Sequence, residues 1–136
     1  MIKKVFVDTD IIFDLLAKRD PFYLAAARLF TLADEGKIQI CISSLSFANI
    51  HYLLSKEISS AEAKKILRKF KLLVHISELN EKIIDLVLNS EFVDFEDAIQ
   101  YFSAIQNGID IILTRNIKDY KKAQITILTA QDFINL

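Results

Sequence analysis

Residues 94–120 read DFEDAIQYFSAIQNGIDIILTRNIKDY, and this stretch decides how the chain folds. Between Phe95 and Gln106 the apolar residues recur at helical spacing, and Gly108 follows where a left-handed residue would close a helix. Ile111-Ile112-Leu113 is then a short, continuous apolar run of strand-like composition, ended by the polar triplet Thr114-Arg115-Asn116. A helix, a glycine, a buried strand and a polar turn in succession form half of a crossover between parallel strands.

The same order recurs on both sides. Strand-like runs are expected at residues 5–7, 38–42, 73–76, 111–113 and 125–128, with helical spacing at 22–35, 45–56, 60–71, 81–88 and 95–106. Gly36 is a second helix-closing glycine, Pro21 is expected to open a helix after Asp20, and Ser60 and Thr129 read as N-terminal caps. No linker-like composition or internal repeat breaks residues 1–136. The expectation is one α/β domain, a three-layer α/β/α sandwich around a central parallel sheet of about five strands.

Composition removes several function classes. Two Gly among 136 residues exclude a glycine-rich phosphate cradle, and one Cys excludes a disulfide framework. With two His and one Cys, the nitrogen and sulfur shells of common zinc sites cannot be built, so any metal must take oxygen ligands, as Mg2+ or Mn2+ does. A net charge of -1 provides no global field for a polyanion, so nucleic-acid binding would need local clustering. The first apolar run stops at Asp8, too early for a signal peptide, and residues 38–55 hold too many polar groups to span a membrane. A soluble, cytoplasmic protein is expected. Cys41, within IQICI, reads as a small buried hydrophobe.

In an open parallel sheet the functional crevice lies beyond the carboxyl ends of the strands. Here those ends carry Asp8-Thr9-Asp10, Ser43-Ser44, Thr114-Arg115-Asn116 and Thr129, while Asp94, Glu96 and Asp97 crowd the start of the helix that feeds the fourth strand. Carboxylates gathered in a cleft stay ionised together only if a cation neutralises them, so the pattern predicts a divalent metal. The plainer alternative is that Asp94, Glu96 and Asp97 complement a helix dipole and that Asp8 caps the next helix. Asp97 shares a helix face with Asp94, which leaves Glu96 directed to solvent.

VFVDTDII, the run DFEDAIQYFSAIQNGIDIILTRNIKDY and the closing ITILTAQDFINL together resemble the PIN-domain family, the nuclease fold of VapC-like toxins, over essentially the whole chain. The resemblance implies a metal-dependent endoribonuclease using Mg2+ or Mn2+, with an antitoxin partner and a homodimeric state. It maps the first metal-binding Asp onto Asp8 and the Asp of the helix before the fourth strand onto Asp97, the two expected catalytic residues. Asn49 stands where the family usually has Glu, and Asn116 stands where many members have an acid, with Asp119 three residues on. The implied metal set is therefore Asp8, Asp97, Asp94, Asn116 and Asp119, and the two amides imply weaker metal binding and weak, Mn2+-stimulated cleavage.

Thr9, Ser44, Asn49, Thr114 and Arg115 are expected to orient ligands or meet phosphate, Arg115 having the alternative role of clamping an acid. Lys118, Lys121 and Lys122 lie near the acidic edge as phosphate contacts, while Lys64, Arg68 and Lys71 form a helical stripe better read as a solvated face. His51, His75 and the aromatic residues, Tyr52 among them, read as packing or surface groups. Two alternatives remain: a degenerate PIN domain that binds RNA or protein without cleaving, and a haloacid-dehalogenase-like phosphatase, suggested by D-x-D at Asp8 and Asp10.

Overall fold

The computed structural model describes residues 2–136. Five strands, β1 (Lys3–Val7), β2 (Ile38–Ser43), β3 (Val74–Ser77), β4 (Ile111–Leu113) and β5 (Thr126–Leu128), form one sheet in the order β3-β2-β1-β4-β5. Every neighbouring pair is parallel. Around it lie α1 (Thr9–Leu16), α2 (Tyr23–Asp34), α3 (Ser44–Glu57), α4 (Ser60–Phe70), α5 (Glu81–Leu88), α6 (Phe95–Gln106) and α7 (Ala130–Ile134). The expected three-layer sandwich is the architecture found.

Strand β1 shows why both faces are covered. Its side chains alternate, so Val5 and Val7 enter a cluster with Ile40, Ile42 and Leu113 under α1 to α4, whereas Phe6 joins Cys41 and Ile112 beneath α6. Val5, Phe6 and Val7 are each fully buried, as a parallel strand with helices on both sides requires. A third cluster, Ile83, Val87, Ala98 and Ile99, packs α5 on α6. Cys41 is buried as expected, and burial pushes its thiol up to about 11, which keeps it protonated at neutral pH.

Some local expectations shift. Helix α1 was not among the expected helices: it follows β1 without a loop, and eight residues give too few turns for spacing to reveal it. Pro21 precedes the helix and does not open it, because the Arg19 carbonyl takes the N–H of both Phe22 and Tyr23 in a turn before α2. Ser59, one residue before the expected Ser60, caps α4 by accepting the Glu62 N–H at 3.1 Å. Leu73 belongs to a 3-10 turn, Lys71–Leu73, that delays β3 by one residue.

The strand order fixes the place of the site. From β1 the chain steps outward to β2 and β3 on one side, then returns to lay β4 and β5 on the other. The crossovers diverge between β1 and β4, which opens a crevice at the carboxyl ends of those two strands. The residues there are held by the ladder itself, since the Asp8 N–H donates to Leu113 O at 3.0 Å and the Thr114 N–H to Leu128 O at 2.9 Å.

Gly108 closes α6 at φ +67 with nothing within 4 Å of an added Cβ. Gly108→Ala is therefore expected to cost about 1–2 kcal/mol through backbone strain alone. Urea unfolding checks this, and Gly108→Asn should lose less.

Candidate active site

Asp8 occupies the N-cap position of α1 in an extended conformation, yet its side chain makes no capping bond. The carboxylate is instead held from behind: Gln100 Nε2 donates to Oδ1 at 2.7 Å and Thr114 Oγ1 to Oδ2 at 2.7 Å. These two bonds join the end of β1 to α6 and to the end of β4. Asp8 is only 6% exposed, and burial raises its pKa, with Asp10 adding to the rise and the Thr114 and Gln100 hydrogen bonds opposing it.

Asp94 does cap α6, its Oδ1 accepting the Asp97 N–H at 3.0 Å. Capping and site membership coincide here, because Asp94, Asp97 and Asp8 line one crevice of about 400 Å3 together with Asp10, Asn116 and Asp119. The two residues distant in sequence, Asp8 and Asp97, are thus brought together. Glu96 corrects the expectation that it points to solvent: although exposed, it lines the rim and accepts the Asn49 Nδ2–H at 3.2 Å. Asn116 donates in the same manner to Asp10 Oδ2 at 2.8 Å.

Two expected site residues take other places. Ser44 opens α3 away from the crevice wall, and the buried hydroxyl at this position of the fold is Ser46, 2.8 Å from Thr9. Thr114 sits behind Asp8 and orients its carboxylate, one of the two roles expected of it. Arg115 turns out of the crevice entirely, with Nε 3.0 Å from Asp14 Oδ2 and its guanidinium 4.1 Å from the Phe22 ring centre. It lines a separate cavity of about 320 Å3, so its role is the acid clamp. Tyr52, expected in packing or on a surface, is 59% exposed on the crevice wall.

Six carboxylate side chains and no Lys, Arg or His line the crevice. Burial, then the neighbouring carboxylates of Asp94, Asp8 and Asp119, push Asp97 up to about 7 from an ordinary 3.8. The buried Tyr120 phenol is driven up too, first by burial and then by Asp8 and Asp97. Among the described residues no three Asp, Glu, His or Cys side chains close into a complete metal-ligand group. The crevice therefore offers a cation scattered oxygen donors and room for water, which suits a hard ion that keeps part of its hydration shell.

The PIN-domain family model matches residues 4–118. The chain belongs to the PIN-domain family. This PIN domain is 30% identical over 139 residues to Ribonuclease VapC1 of Aquifex aeolicus (strain VF5), a match covering 96% of this chain and 93% of that protein. Its fold resembles VapBC2 of Rickettsia felis, solved bound to a promoter DNA fragment, with a TM-score of 0.69 at 22% identity over 92% of this chain and 96% of the other. It also resembles VapC20 of Mycobacterium tuberculosis, described as a Sarcin-Ricin loop cleaving toxin, with a TM-score of 0.63 at 17% identity over 79% and 86% of the two chains.

One residue that supports this PIN-domain crevice, and one partnership within it, were not read from the sequence. Gln100, 3% exposed, lies three residues after Asp97 on the same face of α6, a spacing that would have marked it. Asp10 was visible in DTD, but its partnership with Asn116 across 106 residues was not.

Folded Asp97 keeps its proton up to about pH 7, while the unfolded chain releases it near 3.8. The folded state thus binds more protons between these values, and stability falls as pH rises through that window. In a chelator, the unfolding temperature is expected to drop from pH 4 to pH 7, and Asp97→Asn should flatten that slope in part, Asp8 and Asp14 contributing to the remainder. Mn2+ should raise the unfolding temperature more at pH 8 than at pH 5, as measured by differential scanning calorimetry.

Proposed function

We propose that this PIN domain is a divalent-cation-dependent endoribonuclease, acting in the cytoplasm as the toxin of a toxin-antitoxin pair and as a homodimer. The observation that carries the reading is the pairing of buried Asp8 with half-buried Asp97 in a crevice that lacks any basic side chain. The 30% identity to a ribonuclease across nearly the whole chain supplies the substrate class, and relatives solved as toxin-antitoxin complexes supply the partner. No helix among the described residues is long and apolar enough to cross a membrane.

The donor set fits Mg2+ or Mn2+, since every side chain lining the crevice that can ligate a metal would do so through oxygen, and the six carboxylates have no basic side chain beside them there. Asp8 and Asp97 would hold the ion, with Asp94, Asp119 and the Asn116 carbonyl oxygen within the same crevice. A bound ion supplies a water acidified toward neutrality and offsets charge on the phosphoryl oxygens during in-line displacement. The chain supplies orientation: the Gln100 and Thr114 bonds fix the plane of Asp8 before substrate arrives. Asp97, near half-protonated at neutral pH without a cation, gives up its proton when positive charge enters the crevice.

The degenerate alternative loses ground because negative charge missing at Asn49 and Asn116 is present at Glu96 and Asp10, each held by one of those amides. The phosphatase alternative needs a lysine beside Asp8, and none lines the crevice.

Purified protein with unstructured and structured RNA and Mn2+ is expected to cleave weakly. Asp8→Asn and Asp97→Asn should each lower the rate at least about a hundredfold, in keeping with loss of a group that positions a catalytic cation. Electrophoresis of labelled RNA reads the outcome, and cleavage that persists in both variants, or is absent in the wild type, would refute the reading.

A further inference from the structure

A second cleft, of about 400 Å3, shares the wall Asp94, Asp97 and Asp119 with the acidic crevice. Lys118, Lys121 and Lys122 also line it, and so does Val93, which is fully exposed. The lysines come from the 3-10 turn Ile117–Tyr120 and the residues just after it. With three residues per turn, positions i and i+3 eclipse, so Lys118 and Lys121 project from one side while Asp119 projects from another. One short turn thereby gives the crevice an acid and the adjoining cleft two cations.

A polyanionic strand cannot approach six carboxylates unless the phosphates beside the reacting one are compensated nearby. Lys118 and Lys121 form no ion pair among the described residues, and Lys122 is 3.7 Å from Glu91 in a contact exposed on both sides. Such an exposed pair contributes little and yields readily to a phosphate. We propose that this cleft is the track for single-stranded RNA next to the cleavage position, with Lys118 and Lys121 gripping backbone phosphates, Val93 against the base side, and the Glu91–Lys122 pair as a latch that the strand displaces. The inference rests on the ribonuclease reading only for the identity of the strand.

The test is fluorescence anisotropy of a short unstructured RNA over a salt series in EDTA, so that turnover does not interfere, followed by steady-state cleavage in Mn2+. Lys118→Ala/Lys121→Ala is expected to weaken binding about tenfold at low salt and to reduce the slope of log affinity against log salt by about 1.4, the value for two phosphate contacts on a single strand. Lys118→Arg/Lys121→Arg should restore both. Glu91→Gln frees Lys122 and should tighten binding about threefold, a gain that misfolding cannot imitate. In turnover the alanine pair should raise KM and leave kcat within about twofold. Unchanged affinity and slope in the alanine pair, or an equal loss in a Lys64→Ala/Arg68→Ala control, would overturn the proposal while leaving the ribonuclease reading intact. Salt-dependent RNA binding that needs Lys118 and Lys121, without any cleavage by the wild type, would keep the track and remove the nuclease.

Discussion

A carboxylate that is almost wholly buried, with no cation beside it, is the constraint around which this PIN domain is organised. Removing an ionised group from water costs several kcal/mol unless it is paired or hydrogen-bonded, and Asp8 is given only two neutral donors, Gln100 and Thr114. Those donors come from α6 and from the end of β4, so β1, β4 and α6 must meet at one point. The strand order that places β4 against β1 is what brings them there. The site is rigid because its own framework supplies the bonds, and it is electrostatically costly because they leave the charge uncompensated.

The two amides belong to the same balance. Asn49 and Asn116 replace acids that the family resemblance led one to expect, yet each donates to a carboxylate on another element, Glu96 of α6 and Asp10 of α1. An amide cannot add negative charge, but its N–H can hold an acid that would otherwise swing into water. The crevice therefore retains its carboxylates while their positions move. Burial, with repulsion from Asp94, Asp8 and Asp119 adding to it, still pushes Asp97 up to about 7.

What was legible in the chain depended on how local the signal was. The alternation of buried strands with helices could be read from 5–7, 111–113 and the glycines, because each signal lies within a few residues. Asp8 and Asp97 stood among the candidate acids because strand ends and helix starts are local features as well, and the family resemblance picked them out. The short helix α1 could not, and neither could the direction of Glu96, since rotation about a helix axis gives a face but not what another helix offers to it. The Asn116–Asp10 and Gln100–Asp8 bonds span 106 and 92 residues, and only the folded sheet makes those pairs neighbours. The direction of Arg115 follows the same rule: its sequence neighbour Thr114 turns to Asp8, and in an extended chain the next side chain faces away, which leaves the acid clamp of its two expected roles.

That alternation separates an acid paired with an arginine from one held by neutral donors alone. Asp8 and Asp14 are both buried, both have raised pKa values through burial, and both belong to the segment that begins at the end of β1. Asp14 meets Arg115 at 3.0 Å, and Arg115 together with Arg19 offsets part of its burial cost. The same strand end could have turned a guanidinium toward Asp8, and it presents a threonine hydroxyl instead. An acid kept only for stability would gain from a built-in cation, as Asp14 does, whereas an acid that must receive a diffusible cation would be blocked by one. The fold thus supplies an arginine at this strand end and directs it away from the crevice, leaving Asp8 with neutral donors only.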